Sequence, residues 1–408
     1  MISQIFAPEL SMVLSLAKGL KQNGHDVQVL TGFPNYPGGK VYPGYKIRLW
    51  QRETIDDVPV LRVALYPSHD NSSFMRAVNY ASFACFSASI GLFLSKTPDI
   101  VYAYDPLGNI GVTALCFHLL KGIPFVYHIA DLFPDTLAVS GMFYSKGVFS
   151  VMEKWCLFVY KHASWIVVQS PGFKNALLSR GVSDNKIHLV YNWCPDENKI
   201  RPIDRDEMLA KKLGLANRFN IVFAGPIGKA QALDAVLDAA HIIDGHFPAI
   251  QVVIVGDGIA AARLRDRIRD EKLTNIIFLP WCSAKDIAAI LALSDVALVH
   301  LKDEPLFRIT IPGKTQAYML AGKPILMAVR GDAAEIVERA KAGHTCVPED
   351  PESIAKSIKT FFKMSRIERD LMGECGRQYY QRELSISRAV QKFENIFKLA
   401  LENKGNGK

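Results

Sequence analysis

The sequence predicts an α/β protein of two domains, each a doubly wound parallel sheet, facing each other across a cleft. Short apolar runs alternate with longer amphipathic patterns almost from end to end, as in successive strand–helix–strand units. The chain has 408 residues, more than one hydrophobic core usually serves. Its 49% hydrophobic and 22% charged residues are typical of globular proteins. We therefore expect two globular domains.

The first domain is predicted over residues 1–197. Residues 2–6 resemble the end of a strand, and its shortness suggests that the numbered start lies a few residues inside the fold. Further strands are predicted at 26–30, 60–65, 100–104, 125–128, 165–168 and 187–190. Helices are predicted at 10–21, 72–95, 109–120, 148–161 and 173–178.

The predicted helix 72–95 contains the most hydrophobic stretch of the chain, residues 83–94. This stretch is much shorter than the ~18–20 residues that span a bilayer. Arg76 and Lys96 flank it. The pattern fits a core helix of the domain and, equally, an amphipathic helix at a membrane surface.

The second domain is predicted over residues 205–384, after a charged boundary region at 195–220 that contains prolines. Its strands are predicted at 220–224, 251–255, 276–279, 296–299 and 324–328. Helices are predicted at 231–243, 259–271, 284–293, 312–321, 333–340, 352–363, 366–380 and 386–401. In open α/β sheets ligands bind at the carboxyl ends of the strands, so we expect the site between the domains.

Charge and cysteine usage exclude several classes of protein. The net charge of +8 is not gathered into a basic run, so nucleic-acid binding is not expected. Seven cysteines without a C-x-x-C pattern indicate reduced thiols rather than disulfides or zinc ligands. The D-x-D triplet 204–206 falls in the boundary region, and no metal site is predicted. The first ten residues lack the pattern of a secretory signal, so a cytoplasmic location is expected.

Two glycine-bearing turns follow the first two strands of the second domain. They are AGPIGKAQ (224–231), with Gly225 and Gly228, and VGDGIAA (255–261), with Gly256 and Gly258. Glycine lets backbone amides approach a phosphate, and a helix N-terminus adds partial positive charge. The second turn matches the G-x-G-x-x-G/A dinucleotide pattern but lacks the acidic residue about 20 positions later. Glycines required only for tight turns are the structural alternative.

A third candidate is the helix that begins after Pro312. Gly313, Lys314 and Thr315 would offer free amides and an ammonium group to a diphosphate, and Arg308 lies just upstream. Ordinary helix capping is the alternative explanation. Arg308 stands where a Walker loop needs glycine, so an ATPase is not indicated.

In the first domain, VYHIADLFPD (126–135) directly follows a strand. His128 could polarise an acceptor hydroxyl, and Asp131 could accept its proton. A buried, hydrogen-bonded histidine and a helix-capping aspartate explain the same residues equally well.

Taken together, these motifs resemble those of family 4 glycosyltransferases of the GT-B fold, and in particular the WbuB-type sugar transferases of bacterial surface-polysaccharide clusters. The resemblance covers nearly the whole chain. It rests on APEL (7–10), NGHDVQVLTGFPNYPGGKVYPGY (23–45), VYHIADLFPD, FAGPIGKAQALDAVLDAA (223–240), VIVGDG and IPGKTQAYMLAGKPIL (311–326). It implies two Rossmann-like domains, the second of which binds the donor, and a final helix, about 385–408, that crosses back to the first.

The resemblance also implies roles for individual residues. Gly225 and Gly228 match the phosphate-facing turn, with Lys229 available to the diphosphate and Gln231 completing the motif, and Gly256 and Gly258 match the donor-side element. Family 4 commonly carries two glutamates eight positions apart, and here Arg308 and Gln316 stand in those places. Gln316 could still hydrogen-bond a ribose hydroxyl, whereas Arg308 cannot accept such bonds.

The implied reaction moves a sugar from a UDP-sugar to a polyprenyl-diphosphate-linked sugar acceptor in O-antigen or capsule biosynthesis. The transferred sugar could be an N-acetylated deoxysugar such as L-FucNAc. No metal or other cofactor is expected, since lysine, arginine and helix N-termini would stabilise the departing diphosphate. The protein would work peripherally at the cytoplasmic face of the inner membrane. A UDP-sugar epimerase of the same fold and a non-catalytic nucleotide-sugar-binding scaffold are the alternatives.

Overall fold

The computed structural model describes residues 1–9, 11–36, 38–68, 73–139 and 145–406. Leu10, Pro37 and Ser72, which belong to segments discussed above, lie outside the described residues. The chain divides into two compact units, Met1–Tyr191 with Ile386–Lys408, and Asn192–Ser385. Each unit is built on a largely parallel sheet, so the predicted α/β fold class with two Rossmann-like domains is confirmed.

The strands of the first unit are β1 (Val29–Gly32), β2 (Trp50–Ile55), β3 (Val58–Val63), β4 (Val101–Asp105), β5 (Phe125–Ile129), β6 (Trp165–Val168) and β7 (Ile187–Leu189). Those of the second unit are β8 (Phe219–Ala224), β9 (Ile250–Val255), β10 (Ile276–Leu279), β11 (Val296–His300), β12 (Ile325–Ala328) and β13 (Gly343–Thr345).

The helices of the first unit are α1 (Met12–Gln22), α2 (Ser73–Phe86), α3 (Leu92–Leu94), α4 (Ile110–Lys121), α5 (Asp135–Val139), α6 (Lys146–His162) and α7 (Pro171–Ser179). The second unit contains α8 (Glu207–Leu213), α9 (Asp234–Ile243), α10 (Ala261–Asp270), α11 (Ala284–Ala292), α12 (Pro305–Arg308), α13 (Gly313–Leu320), α14 (Asp332–Arg339), α15 (Pro351–Lys363) and α16 (Arg366–Tyr379). A final helix, α17 (Ile386–Asn406), belongs to the first unit and packs against α1 and β5.

In the first unit, Ile2 joins two groups of strands into one sheet. The group β1-β3-β2 and the group β4-β5-β6-β7 both pair through it, because Ile2 forms parallel bridges to Leu30 and to Ala103. The predicted first strand is thus reduced to a single bridging residue. The carboxyl ends of β4 and β5, which carry the candidate residues of this unit, lie next to each other in parallel register.

The strand predicted at 60–65 is present as β3, but β2 and its antiparallel hairpin with β3 were not predicted. Its turn is Asp56-Asp57, and both residues have positive φ angles, 47° and 64°. Two-residue hairpin turns of this hand usually contain glycine, so an Asp-Asp pair gives a weak signal. Side chains along β2 alternate between exposed and partly buried, as expected of a strand at the edge of a sheet.

The predicted helix 72–95 is present as α2, a π-helical turn at Ser87–Gly91 and α3. The helical stretch Phe74–Leu94 has 21 residues and is long and apolar enough to cross a membrane by length and composition, although core helices of soluble proteins pass the same test. In the most apolar 18 residues of this stretch, 33% is buried inside the protein. The run 83–94, which by itself is too short to span a bilayer, is thus one end of a longer apolar helical stretch.

The second unit contains a six-stranded parallel sheet in the order β10-β9-β8-β11-β12-β13. Its central strands β8, β9 and β11 are buried along their whole length, which explains their continuous apolar sequences. The region that we assigned to the boundary lies inside this unit and contains α8, whose N-terminus is capped by Asp206. The D-x-D triplet therefore ends in a helix cap.

Candidate functional site

The second unit places both glycine turns at the carboxyl ends of neighbouring strands. Gly225 follows β8 and Gly256 follows β9, and the two strands pair in register up to Ala224 and Val255. Gly225, Gly256 and Gly258 have φ angles of 145°, 147° and 152°. Residues with a side chain rarely adopt such angles, so the backbone requires glycine at these positions.

The two turns are bonded to each other. The Gly225 amide donates to the Val255 carbonyl at 2.9 Å, and the Ile227 amide donates to the Asp257 carbonyl at 2.9 Å. In the other direction, the Ala260 amide donates to the Ile227 carbonyl at 3.1 Å. A Cβ atom on Gly256 would lie well inside van der Waals contact with the Gly225 carbonyl oxygen. The turns therefore form one rigid surface.

Substitution of Gly256 by Ala is expected to destabilise the protein by about 3 kcal/mol or more, because it adds a backbone clash to an unfavourable φ angle. Gly313→Ala is the matched control, since a Cβ atom at Gly313 would meet nothing within 4 Å. Its free energy of unfolding should change by less than about 1 kcal/mol. Urea unfolding of both variants measures this difference, and equal stabilities would contradict the interlocked turns.

The amides of these glycines are already occupied, which differs from the sequence-based expectation. The Gly228 amide donates to Gln231 Oε1 at 2.9 Å, and the Gly258 amide donates to Asp257 Oδ1 at 2.9 Å. The Gly256 amide donates to the Leu279 carbonyl at 3.1 Å. Here the glycines provide shape and close approach rather than free hydrogen-bond donors, and Gln231 holds its own turn. Their predicted roles in donor binding stay predictions.

His300, which the sequence analysis missed, holds the first of these turns through a hydrogen bond to its backbone. It lies at the end of β11, fully buried, with Nδ1 2.7 Å from the Gln231 carbonyl. Its Nε2 accepts a hydrogen bond from the Glu349 amide at 3.1 Å, so Nδ1 carries the proton. Burial lowers the pKa of His300, which keeps the ring neutral in this arrangement. Its position at a strand end was the one available signal.

Lys314 is the unusual cation of this unit. Its Nζ atom is shielded from solvent and has no hydrogen-bond partner among the residues that the structure describes. It lies 3.5 Å from the centroid of the Phe223 ring and close to Gly225, so it points at the first glycine turn. Burial lowers the pKa of Lys314 to about 7. A buried ammonium without an acceptor is costly, and a bound anion would supply the missing partner.

Backbone amides add to this cation at the start of α13. Pro312 precedes the helix, and the amides of Gly313 and Lys314 make no hydrogen bond with the described residues. The first amides of a helix have no partner inside the helix and carry partial positive charge. Gly313 is exposed, and the space beside its Cα is open. The start of α13 therefore fits an anion beside Lys314.

The other donor-side residues are placed differently from one another. Lys229 is exposed and forms no ion pair with a described residue, so it is available to a ligand. Arg308 pairs with Asp303 at 2.8 Å, and Asp303 also pairs with Arg330. Thr315 and Gln316 are fully buried. With its amide oriented so that oxygen and nitrogen are both satisfied, Gln316 donates to the Pro312 carbonyl at 2.8 Å, so a ribose contact would require that side chain to move.

In the first unit, the structure encloses His128. The ring is fully buried in β5, and its Nδ1 lies 2.6 Å from the Tyr102 hydroxyl. The rings of Tyr104 and Phe393 pack against it. Burial lowers the pKa of His128 to about 3, so the ring is neutral at physiological pH. As placed, it reaches no solvent-facing surface, and its catalytic role stays a prediction.

Asp131 lies two residues beyond the end of β5 and is partly exposed. Burial raises the pKa of Asp131 to about 6, with a smaller contribution from the Asp105 carboxylate. Burial raises the pKa values of Tyr36 and Tyr104, and the Asp131 charge adds a smaller increase to each. A carboxylate with a pKa near the working pH, at a strand end, fits a general base.

Glu9, which the sequence analysis did not single out, holds the loop that carries Tyr36. This buried carboxylate accepts hydrogen bonds from the amides of Asn35 at 2.7 Å, of Tyr36 at 2.5 Å and of Phe6 at 3.2 Å. Burial raises the pKa of Glu9, while these amides and Arg62 oppose that shift. Its fixed position keeps Tyr36 beside Asp131.

Comparison with known families matches both units. Residues 11–193 match the model described as a glycosyl transferase 4-like domain, and residues 218–363 match glycosyl transferases group 1. The chain is 25% identical over 407 residues to WcaI of Escherichia coli K12, whose name assigns it to colanic acid biosynthesis as a glycosyl transferase. That match covers 96% of this chain and 97% of WcaI. An uncharacterized glycosyltransferase of Methanocaldococcus jannaschii, MJ1607, is 21% identical, with 96% and 94% covered.

Solved structures show the same fold. Anabaena HepE in complex with UDP and glucose has a TM-score of 0.69 to this chain at 18% sequence identity, with 97% of this chain and 98% of HepE covered. An Escherichia coli structure bound with UDP-2-fluoro glucose has a TM-score of 0.73 at 14% identity, with 98% of each chain covered. At such identities the likeness establishes the architecture alone.

Proposed function

Because the chain belongs to the family 4 glycosyltransferases of GT-B fold, we propose that it moves a sugar from a UDP-sugar to a polyprenyl-diphosphate-linked sugar. The second unit would bind the donor and the first unit the acceptor. The observation that carries the proposal is Lys314, a buried ammonium beside a glycine turn and the helix amides of residues 313 and 314, none of which has a hydrogen-bond partner in the described part of the chain. A diphosphate supplies the charge and the acceptors that this arrangement lacks.

Donor binding is assigned to the start of α13 together with the glycine turns. Lys314 Nζ and the amides of Gly313 and Lys314 would hold the diphosphate, and exposed Lys229 would approach it from the first turn. UDP as the nucleotide is supported by HepE, which was crystallised with UDP-glucose. The transferred sugar would be an N-acetylated deoxysugar such as L-FucNAc, by the resemblance described above.

Transfer is assigned to Asp131 in the first unit. The acceptor hydroxyl oxygen forms a bond to the anomeric carbon while the bond from that carbon to the diphosphate breaks, and UDP leaves with the electron pair. Asp131 takes the hydroxyl proton as this oxygen attacks. Positive charge from Lys314 and the helix start stabilises the departing UDP. Because His128 is enclosed, we assign it to holding the end of β5 rather than to proton transfer.

Two observations support a membrane-linked acceptor at the cytoplasmic face of the inner membrane. WcaI, at 25% identity, is named for colanic acid biosynthesis, and the family resemblance given in the sequence analysis implies a lipid-linked acceptor. The stretch Phe74–Leu94 has no acidic residue and ends beside Lys96, a combination that suits an anionic lipid surface. The product would be an intermediate in O-antigen or capsule biosynthesis.

The decisive experiment incubates the full chain with radiolabelled UDP-sugars and a polyprenyl-diphosphate-linked monosaccharide in detergent. We expect release of UDP together with a lipid product whose mass has increased by one sugar residue. Conversion of the UDP-sugar to an isomer without any acceptor would favour the epimerase. Binding of UDP without release or conversion, across a panel of donors and acceptors, would contradict the proposed transfer.

Lys229→Ala is expected to lower the transfer rate by more than tenfold, because a charge-assisted contact to phosphate is worth about 1.5–3 kcal/mol. The exposed side chain has no ion pair with a described residue, so folding should be unchanged. Lys285→Ala, at an exposed position of α11, removes the same charge and should leave the rate within twofold. Initial rates of product formation measure both effects. A wild-type rate for Lys229→Ala would contradict the assignment of this residue to the donor site.

A further inference from the structure

Arg76 is a cation that neither the fold nor the proposed donor site uses. It is the one charged residue between positions 73 and 94, an otherwise uncharged helical stretch. Its Nε atom is shielded from solvent and has no hydrogen-bond partner among the described residues, and the guanidinium forms no ion pair with any of them. Arginine keeps its charge in proteins, so this cation cannot be relieved by losing its proton.

Two tyrosines extend this position toward Asp131. Tyr80 lies four residues after Arg76 on the same face of α2, and the Arg76 charge lowers its pKa against the larger opposite effect of burial. Tyr36 contributes a smaller increase to the pKa of Tyr80, and the Asp131 charge contributes a smaller increase to the pKa of Tyr36. Arg76, Tyr80, Tyr36 and Asp131 are therefore successive neighbours within the first unit.

A buried amide network holds these groups in place. Asn79, next to Tyr80, donates to Asn35 Oδ1 at 3.3 Å and accepts a hydrogen bond from Gln4 Nε2 at 2.6 Å. Asn109 donates to the Tyr80 carbonyl at 3.1 Å. The helix that carries Arg76 and the loop that carries Tyr36 are thus bonded to each other. Such fixed side chains form a prepared site rather than a chance cluster.

The outer face of the same helical stretch is apolar. Its exposed positions follow each other at helical spacing and are Phe74, Ala77, Ala81, Cys85, Ser89 and Phe93, of which only Ser89 is polar, and its hydroxyl donates to the Cys85 carbonyl. Phe74 and Phe93 are 70% and 81% exposed. Arg76 therefore stands at one end of an uncharged surface that is about 21 residues long. A hydrocarbon chain fits the apolar stripe, and an anion fits the cation at its end.

We propose that Arg76, with the hydroxyls of Tyr80 and Tyr36, binds the diphosphate of a prenyl-chain acceptor whose hydrocarbon lies along Phe74–Leu94. The identification of this ligand as the acceptor rests on the proposed function. The arginine fork and two hydroxyls offer several donors to phosphate oxygens. A sugar attached to that diphosphate would extend past Tyr36 toward Asp131.

The test of this site measures binding of farnesyl diphosphate and of uncharged farnesol to the full chain. Tryptophan fluorescence reports the binding, in the presence of saturating UDP. Saturating UDP blocks the proposed donor site, so a remaining diphosphate contact must lie elsewhere. We expect Arg76→Gln to weaken farnesyl diphosphate at least tenfold and to leave farnesol and UDP within twofold. Arg48→Gln, which removes an exposed charge of the same unit, should leave all three ligands unchanged.

Two further variants distinguish the loss of a ligand contact from misfolding of the protein. Arg76→Lys keeps the charge and should recover part of the lost affinity, while Tyr80→Phe removes one hydroxyl and should weaken the diphosphate about threefold or more. Equal affinities for farnesyl diphosphate in wild type and Arg76→Gln would overturn the site. Displacement of the probe by UDP would overturn it as well, because the probe would then occupy the donor site. If the chain transfers no sugar but Arg76→Gln still weakens binding of farnesyl diphosphate, the proposed function is wrong and the binding site stands.

Discussion

Replacement of Lys314 by Met is expected to make the protein more stable and, at the same time, a weaker binder of UDP. The Lys314 ammonium is shielded from solvent and has no hydrogen-bond acceptor among the described residues, so the folded state bears the cost of a buried charge without an ion-pair partner there. Methionine keeps a similar length beside Phe223 and removes that cost. We expect the free energy of unfolding to rise by about 1–3 kcal/mol.

The same substitution removes the proposed partner of the diphosphate. A charge-assisted hydrogen bond to phosphate is worth about 1.5–3 kcal/mol, which corresponds to a loss of UDP affinity of about ten- to hundredfold. Thermal unfolding and calorimetric titration of the same preparation measure both effects. Lower stability together with unchanged UDP affinity would show that Lys314 has a structural role instead.

Lys323→Met is the matched contrast within the same unit. The Lys323 Nζ atom donates to the carbonyls of Ala292 at 3.3 Å and of Ser294 at 3.1 Å, so its removal leaves acceptors unpaired. It should lower stability and leave UDP binding unchanged. The wild type also has a distinct pH dependence: because the pKa of Lys314 is about 7, the fraction that carries a proton falls as the pH rises through 7. UDP affinity should fall over the same range, and Lys314→Met should lose that dependence.

Replacement of Asp131 by Asn should lower kcat by about 10²–10⁴-fold, the range that general base catalysis usually contributes. Asn is nearly isosteric but cannot take a proton from the acceptor hydroxyl. UDP affinity should stay within twofold, since the residues assigned to donor binding belong to the other unit. Steady-state rates at saturating acceptor, with UDP titrations beside them, separate the two effects.

The pH profile gives a second measurement of the same role. A base with a pKa of about 6 is ionised above that pH and protonated below it. The wild-type rate should therefore fall about tenfold per unit as the pH drops well below 6, and Asp131→Asn should lack this acid limb. Asp135→Asn is the control, because Asp135 pairs with Arg180 and has no proposed catalytic role. An unchanged acid limb in Asp131→Asn would assign the base to another group.

Most strands of the second unit could be predicted because they are buried on both faces and appear as continuous apolar runs, as in β8 and β9. The β2–β3 hairpin could not, since its Asp56-Asp57 turn lacks glycine and its edge strand carries charged residues. Helix α8 was also missed, because seven residues give too few turns for a periodic pattern.

For the candidate site, the sequence predicted which residues gather at strand ends but not how their polar atoms are used. The glycines of both turns could be predicted from composition and spacing, yet the acceptors of their amides depend on pairing between turns that are distant in sequence. The enclosure of His128 arises from Tyr102 and from Phe393 near the end of the chain, contacts that no local pattern contains. The sequence shows Arg76 only as a charge beside an apolar run, because the shielding of its Nε atom depends on tertiary packing.

The bonds between the Gly225 and Gly256 turns also bear on protein engineering. A loop exchange that imports residues 225–231 from a relative also changes the positions of the backbone carbonyls in that turn. These carbonyls must still fit residues 255–261 of the original chain, and an exchange of 255–261 must likewise fit residues 225–231. Chimeras intended to change donor preference should therefore exchange both segments from the same parent. Libraries that randomise either turn alone will sample mostly misfolded variants, whereas diversity at exposed Gly313 and Lys229 leaves the paired backbone untouched.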